Sequence, residues 1–203
     1  MPVFFICFIV FVIWFYVKSN HEDKTKDTWD KDFWEKEHEA DFAPKKDISD
    51  LKYISVQKDL LPFNDSPDEE EKELQDKILE LADTKLLNLS DMTNTDIKLK
   101  YGRANFDYLS SCDQNFLLLL RLLNQWGSYI YNTLKDRQRA KKLFEYSINL
   151  GSDISETYIT LAQIYIDENR PEQIQELITK IDNSDFFMKE SIKSRLIKLF
   201  QEY

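Results

Sequence analysis

The chain has 203 residues, with 27 basic and 37 acidic side chains and a formal net charge of −10. A chain of this length holds one domain with extensions, and its three glycines and five prolines are few for a sheet protein with many tight turns. The acidic balance excludes broad nucleic-acid binding, which requires a basic surface. Two cysteines, Cys7 and Cys112, cannot form a disulfide framework. We therefore expect an all-α protein that does not bind nucleic acid.

The segment over 1–17 predicts a transmembrane anchor. No side chain from Val3 to Val17 is charged or strongly polar, and a helix of this length spans about 25 Å, near the short limit for crossing hydrocarbon. A cleaved signal peptide fits less well, because no Lys or Arg precedes the apolar run and no small-residue cleavage site follows it. The apolar run is followed by Lys18, Lys24, Lys26, Lys31 and Lys36. These lysines favour a cytoplasmic C-terminal domain, whereas an N-inside anchor would place the same domain outside.

Residues 18–65 predict a charged juxtamembrane tether. Pro44 and Pro62 interrupt any long helix there. Residues 51–56 could form a short extended piece, but the sequence supplies no partner strand. The tether also carries Trp29, Phe33 and Trp34. These aromatic side chains either dip into the membrane interface or pack on the globular domain.

Helix signals become strong from Ser66 onward, so residues 66–203 predict an all-helical domain. Ser66 as N-cap and Pro67 at the first helical position predict a helix over about 67–83, and a second helix is expected near 97–108. Residues 111–114 form a capping-box pattern that opens a third helix, ending near residue 134. Further helix starts are predicted at Asp136, at Asp153, at Pro171 and at Ser184 or Asp185, and Gly151 is the expected C-cap of the helix after Asp136.

The later helices repeat when the chain is aligned on itself at an offset of 34. This offset aligns Asn124 with Tyr158, Ser128 with Ala162, Tyr131 with Tyr165, Ala140 with Ile174 and Phe144 with Ile178. The pattern resembles the tetratricopeptide repeat, in which a small residue lets two helices approach and an aromatic residue fills the space between them. The two copies run over about 121–154 and 155–188, and a C-terminal capping helix follows over 186–202. Asn124 stands where the family carries a large apolar residue.

This resemblance implies antiparallel helical hairpins that stack as an α-solenoid and bind other proteins. The chain is similar to bacterial single-pass membrane-anchored tetratricopeptide-repeat proteins of uncharacterised function. It is therefore expected to be an adaptor or scaffold at a membrane. Two alternatives stay open: a structural or regulatory subunit whose groove is filled by its own tether, and an outward-facing factor in envelope assembly. Two copies do not bury a stable core alone, so flanking helices are expected to complete it.

The resemblance also implies a concave groove, lined by the first helix of each hairpin, that takes a protein or peptide partner. The family's groove positions fall on Gln125, Tyr129, Asn132, Thr133, Glu156, Ile159, Gln163, Ile166 and Asp167. None of these residues is a lysine or arginine, which disfavours a clamp for acidic C-termini. A neutral or helical segment is the expected partner.

Catalysis is not expected, and the sequence predicts no catalytic, cofactor or metal site. His21 and His38 lack metal-ligand spacing, and no phosphate-binding loop or GxSxG motif is present. Cys112 has no adjacent basic group to activate its thiol. One basic cluster remains: Lys135, Arg137, Arg139, Lys141 and Lys142. It is either a solvated helix face or a contact for anionic headgroups.

Overall fold

The computed structural model describes residues 2–186 and 188–202, with side-chain positions for 7–15, 31–186 and 188–201. The expected all-α class is confirmed, and no β-strand occurs within the described residues. The α-helices are α1 (Pro2–Asp41), α2 (Glu69–Ala82), α3 (Asn94–Tyr101), α4 (Phe106–Tyr129), α5 (Arg137–Asn149), α6 (Ser155–Asp167), α7 (Glu172–Asp182) and α8 (Lys189–Glu202). Short 3-10 turns lie at Lys58–Leu60 and Arg103–Asn105, and Ile130–Leu134 is π-helical.

The chain divides into two compact units. Unit 1 comprises Met1–Ile48 and Met92–Phe106, and unit 2 comprises Ser49–Asp91 and Asp107–Tyr203. Unit 1 therefore contains α1 and α3, and unit 2 contains α2 and nearly all of the chain from α4 onward.

Helix α1 covers most of the predicted anchor and continues well into the predicted tether. Apolar side chains from Phe8 to Phe15 are between 43% and 61% exposed. Side chains of residues 1–6 and 16–17, which belong to the predicted anchor, and that of Trp29 lie outside the described residues. Among the residues that could be searched, no helix is both long and apolar enough to cross a membrane. Phe33 and Trp34 are exposed rather than packed into a core.

Unit 1 is held together by an ion cluster on α3. Lys98 Nζ donates to Glu37 Oε2 at 2.9 Å and to Asp41 Oδ1 at 2.8 Å, both on the last turns of α1. Both bonds raise the pKa of Lys98, and the bond to Asp41 has the larger effect.

The predicted helix over 97–108 is wrong, because α3 ends at Tyr101 and Gly102 is its C-cap. A φ of 91° breaks the helix there, and a Cβ at that position would collide with the Pro44 carbonyl oxygen.

Unit 2 has one apolar core to which the second half of the predicted tether contributes. Its largest fully buried side chains include Phe116, Trp126 and Phe144 from α4 and α5. Val56 and Leu61 are buried in the same core. The extended piece over 51–56 also has a partner: Ile54 N donates to Leu86 O at 2.8 Å in an isolated antiparallel bridge.

Several helix starts differ from the predicted ones. The N-cap of α2 is Asp68 rather than Ser66, because the Asp68 carboxylate accepts from Glu71 N at 2.8 Å. The capping-box pattern at 111–114 lies inside α4, and its acidic member, Asp113, accepts from Leu89 N at 2.8 Å instead. Helix α6 follows Ile154 without a side-chain cap, so the start signal at Asp153 is also wrong.

Other helix ends follow the sequence. Asp136 is confirmed as a cap, since its carboxylate accepts from Arg139 N at 3.1 Å. Helix α5 ends just before Gly151, whose φ is 98°. Pro171 is the N-cap of α7. The last helix begins at Lys189, a few residues after Ser184 and Asp185.

The buried positions in the first helices of the two predicted hairpins, α4 and α6, align with an offset of 35 rather than 34. Leu123, Gly127 and Ile130 are buried on α4 and its π-helical end, whereas Asn124, Ser128 and Tyr131 are only half-buried. Their equivalents on α6 are Tyr158, Ala162 and Tyr165, all buried. The second helices keep the offset of 34, with Ala140 and Ile174 both buried. The π-helical turn Ile130–Leu134 holds one residue more than an α-turn and absorbs the difference.

This register predicts that Gly127, not Ser128, is the close-contact residue of the first hairpin. A Cβ at position 127 would lie 2.5 Å from Phe144 Cε1 and 2.8 Å from Cζ. We expect Gly127→Ala to lower the free energy of unfolding by about 1–3 kcal/mol through overpacking. The matched variant Ser128→Ala should change it by less than about 0.5 kcal/mol. Urea unfolding followed by circular dichroism measures both, and equal effects would contradict the assigned register.

Candidate interaction surface

The five groove residues predicted on α6 share one outward-facing side of that helix. Glu156 and Asp167 are exposed, whereas Ile159, Gln163 and Ile166 are half-buried. The intervening residues face the core: Thr157, Tyr158, Leu161, Ala162, Ile164 and Tyr165 are buried. Ile159 and Ile166 lie against the core from outside. This side of α6, called the α6 stripe below, carries the two half-buried isoleucines and three polar side chains, and Thr160 on the same side is buried.

The four groove residues predicted before α5 are not equivalent to the α6 stripe. Gln125, Asn132 and Thr133 are exposed, and the last two lie in the π-helical turn. Tyr129 is half-buried, and its hydroxyl donates to Asp68 Oδ2 at 2.7 Å. That bond raises the pKa of Tyr129 to about 12. The Tyr129 hydroxyl is therefore already bonded to Asp68, the N-cap residue of α2.

The corrected register moves the first-copy positions by one residue. An offset of 35 from the α6 stripe gives Arg121, Asn124, Ser128, Tyr131 and Asn132, so Asn132 stays a groove position and now corresponds to Asp167. Asn124 Oδ1 accepts from Thr157 Oγ1 at 3.0 Å, which joins α4 to α6.

Glu71 is a buried carboxylate in the first turn of α2. It accepts from Trp126 Nε1 at 3.1 Å, from Asn64 Nδ2 at 3.2 Å and from Arg139 Nη2. Burial by itself raises the pKa of this carboxyl, but the hydrogen bonds from Arg139, Trp126 and Asn64 outweigh it and hold the pKa below its usual range. The surrounding contacts fully explain a structural role for this charge.

Helical phase is the signal that could have identified Glu71. It lies three residues before Leu74 and seven before Ile78, so all three point to the same side of α2. Leu74 and Ile78 are buried. An acidic residue in phase with an apolar face indicates a buried, paired carboxylate.

The basic cluster is largely neutralised within unit 2. Arg139 pairs with Glu71, and Lys141 Nζ lies 2.7 Å from Glu168 Oε2. Arg137 Nη2 lies 3.2 Å from Asp167 Oδ2. This pairing favours the solvated-face interpretation over headgroup binding.

A polar cleft of about 700 Å³ lies where the α5–α6 turn faces the α7–α8 connection. Lys180 Nζ donates to Asn149 Oδ1 at 2.9 Å, and Tyr158 Oη donates to the Ser152 carbonyl oxygen at 2.8 Å. Burial raises the pKa of Tyr158 to about 12. Because the polar groups of this cleft bond to one another, it offers few unsatisfied partners to a ligand.

Cys112 is a buried free thiol on α4. Burial raises the pKa of the Cys112 thiol, which weakens it as a nucleophile. In the searched part of the chain, no three His, Cys, Asp or Glu side chains converge in a way that could hold a metal ion.

The Glu71 cluster makes a testable contribution to stability. Removing one partner of a buried ion pair leaves the other charge uncompensated, so Glu71→Ala should lower the free energy of unfolding by about 3–5 kcal/mol. The matched variant Glu73→Gln, which breaks the exposed pair with Lys77 on the same helix, should cost less than about 0.5 kcal/mol. Denaturant titrations at neutral pH measure both.

The cluster also predicts the direction of a pH dependence. Because folding lowers the Glu71 pKa, its stabilising contribution is present above the unfolded pKa of about 4.3 and is lost as the pH falls through the folded value. Glu71→Gln should therefore flatten the decline in stability below about pH 4.3 relative to the native chain. If the free energy of unfolding depends on pH in the same way in Glu71→Gln and in the native chain, other carboxylates cause the loss of stability in acid.

Comparison with known proteins gives no family assignment. No family model matches the chain, and no curated protein or solved structure matches it. A function for this protein is therefore inferred from its own residues and contacts.

Proposed function

We propose that this protein is a membrane-anchored adaptor or scaffold that binds a partner protein through tetratricopeptide-like hairpins in unit 2. Residues 1–17 form the anchor, and the lysine excess after the anchor places the C-terminal domain on the cytoplasmic side. The observation that carries the proposal is the α6 stripe, where Ile159 and Ile166 stay partly exposed among polar side chains on a helix whose other residues are mostly buried.

The spacing of the helices supports a repeated architecture. Helix α6 starts at Ser155 and helix α8 at Lys189, which is the same offset that relates the second helices of the two hairpins. Ile192 and Leu196 are buried at the positions equivalent to Tyr158 and Ala162. Helix α8 thus behaves as the first helix of a third, incomplete copy.

The first helix of each of the three copies carries an apolar or aromatic side chain at the same position. Tyr131, Ile166 and Phe200 occupy this position in the three successive copies. Tyr131 and Ile166 are half-buried, and Phe200 is 41% exposed. A row of such side chains suits the apolar face of a partner helix or a neutral peptide.

The exposed apolar side chains of α1 support the anchor. All residues from Phe8 to Phe15 are large, apolar and exposed. A helix that is apolar on all sides is stable only inside a core or a bilayer. The bilayer fits this segment because its described side chains are not covered.

A second candidate function is a structural or regulatory subunit whose groove is occupied by its own chain. Tyr129 is bonded to Asp68, and Phe63 stacks on Trp126 with ring centroids 5.3 Å apart. The covering segment is then Pro62–Glu71, which belongs to unit 2. Self-occupancy of this kind covers the first copy and leaves the α6 stripe as the surface to test.

Site-specific photocrosslinking in cells tests the adaptor function. A photoreactive residue at Gln163 on the α6 stripe should yield a discrete adduct, whereas one at the exposed Glu172 of α7 should not. Ile166→Lys should lower the yield at Gln163 by about tenfold, because losing one apolar contact of about 1.5 kcal/mol corresponds to that factor.

Circular dichroism of the Ile166→Lys variant establishes that it is folded. Equal yields at Gln163 and Glu172, or no adduct at Gln163, would refute an adaptor function for the α6 stripe. The second result would favour the self-occupied subunit.

Alkaline extraction of membranes tests the anchor. The double variant Val10→Asp, Ile13→Asp should move the protein into the soluble fraction, because each aspartate near a helix centre costs about 2.5–3.5 kcal/mol of insertion. Phe33→Asp, which lies on α1 beyond the anchor, should leave the protein in the membrane pellet. Release of the native chain by alkaline carbonate would refute the anchor.

A further inference from the structure

We propose that unit 1 carries a second docking surface, an acidic-rimmed apolar cleft that takes a lysine- or arginine-bearing apolar segment of a partner protein. This surface is separate from the α6 stripe, and the proposal goes beyond the adaptor function of unit 2.

The cleft has an apolar floor at the C-terminal end of α1. It measures about 670 Å³ and is lined by Phe42, Ala43, Pro44 and Leu99 together with polar residues at its rim. Phe42 is 75% exposed, the most exposed large apolar side chain of the described part of the chain. An aromatic ring this exposed next to a cleft is a candidate contact for another protein.

The rim carries unneutralised negative charge. Glu35 and Glu39 line the cleft one helical turn apart, and both are exposed. Within the described residues neither forms an ion pair, whereas their neighbours Glu37 and Asp41 are both paired with Lys98. The lining cation Lys46 donates to the Leu99 carbonyl oxygen at 3.1 Å instead of to a carboxylate. The cleft therefore favours a cationic ligand group.

The aromatic side chains beside the rim suit a long basic side chain. His38 and Phe42 meet edge to face at a centroid distance of 4.8 Å, and Trp34, one turn before His38, is 68% exposed. Lysine and arginine place an apolar stem on such a surface and a charged head in solvent or against a carboxylate. Their cations are also attracted by the face of an aromatic ring.

The bilayer does not fit this cleft. The proposed anchor ends at Val17, whereas Phe42 directly follows α1, which is continuous from Pro2 to Asp41. The helix between Val17 and Phe42 rises about 37 Å, whereas the headgroup layer on each side is only about 5–8 Å thick.

A second copy of the chain does not fit the cleft either. The positions of α1 spaced as a coiled-coil seam are Lys31, Trp34, His38 and Asp41. All but Trp34 are polar or charged, unlike an apolar seam. Two copies would also bring the Glu35 and Glu39 carboxylates of one chain close to those of the other, and these like charges repel.

Peptide binding to the full chain tests the proposal. The protein is reconstituted in nanodiscs of zwitterionic lipid, and the probe is a fluorescein-labelled helical peptide of Ala, Leu and Lys. A twin peptide carries Glu in place of Lys, and empty nanodiscs give the lipid background. We expect the Lys peptide, and not its twin, to raise fluorescence anisotropy above that background.

Charge-neutralising variants locate the site. Glu35→Gln with Glu39→Gln should weaken binding of the Lys peptide by about tenfold, since its ammonium groups lose both charged acceptors of the rim. Phe42→Ala should weaken it as well, and the variant should remain folded because the Phe42 side chain is exposed. The matched control is Asp76→Asn with Glu80→Gln, an exposed acidic pair of the same spacing on α2.

The outcomes separate this proposal from the adaptor function. Equal binding of both peptides, no binding above empty nanodiscs, or a change of less than twofold in the Glu35, Glu39 variant would each overturn it. Peptide binding that Ile166→Lys abolishes and the Glu35, Glu39 variant leaves unchanged would assign the peptide to the α6 stripe and overturn the cleft. A failure of the cleft therefore leaves the crosslinking test of unit 2 unaffected.

Discussion

The buried carboxylate of Glu71 is the interaction on which the arrangement of unit 2 depends. A charge removed from water costs several kcal/mol unless it is paired and hydrogen-bonded. Here the partners come from three places in the chain: Asn64 before α2, Trp126 on α4 and Arg139 on α5. The guanidinium of Arg139 also donates to the Pro62 carbonyl oxygen, from Nε at 3.2 Å and from Nη2 at 3.0 Å. Any arrangement that separates these segments leaves a charge unpaired, so the network selects one packing of α2 against the hairpins.

The same network explains why the segment before α2 is not a free linker. Phe63 stacks on the indole of Trp126, and Gln57 N donates to Tyr146 Oη at 2.9 Å. Leu61 is buried in the core between these two contacts. The chain is therefore held to α4 and α5 over several residues before α2 begins. This part of unit 2 thus adds apolar cover to the core around α4 and α5.

The sequence predicts secondary structure better than it predicts register. Helical periodicity and the cap at Asp136 are local properties, and both are confirmed. The contact at Gly127 depends on a π-helical turn that a comparison at one fixed offset cannot detect. The false cap at 111–114 has the right residue types, but tertiary contacts use Asp113 to hold Leu89 instead. Pro44 correctly predicts that α1 does not continue through the whole tether, yet nothing local indicates that α1 would extend as far as Asp41.

The site residues divide in the same way. Those on α6 lie together because a regular helix with one buried side fixes where its open side points. The groove residues predicted before α5 are one position out of register, because the π-helical turn holds one extra residue. One of them, Tyr129, donates its hydroxyl to Asp68 at the N-cap of α2. The cleft of unit 1 had no signal in the repeat pattern, because it depends on α1 and on Leu99 of α3, far apart in the chain.

The continuity of α1 has a mechanical consequence. Lys98 bonds the last turns of α1 to α3, so α3 moves together with the C-terminal end of α1. The part of α1 that runs from Val17 to Asp41 rises about 36 Å. Transmembrane helices tilt by about 20° on average, and over that length such a tilt displaces the far end sideways by about 12 Å. With residues 1–17 proposed as a membrane anchor, a change in bilayer thickness that alters the tilt would become a lateral movement of the far end of α1 and of α3.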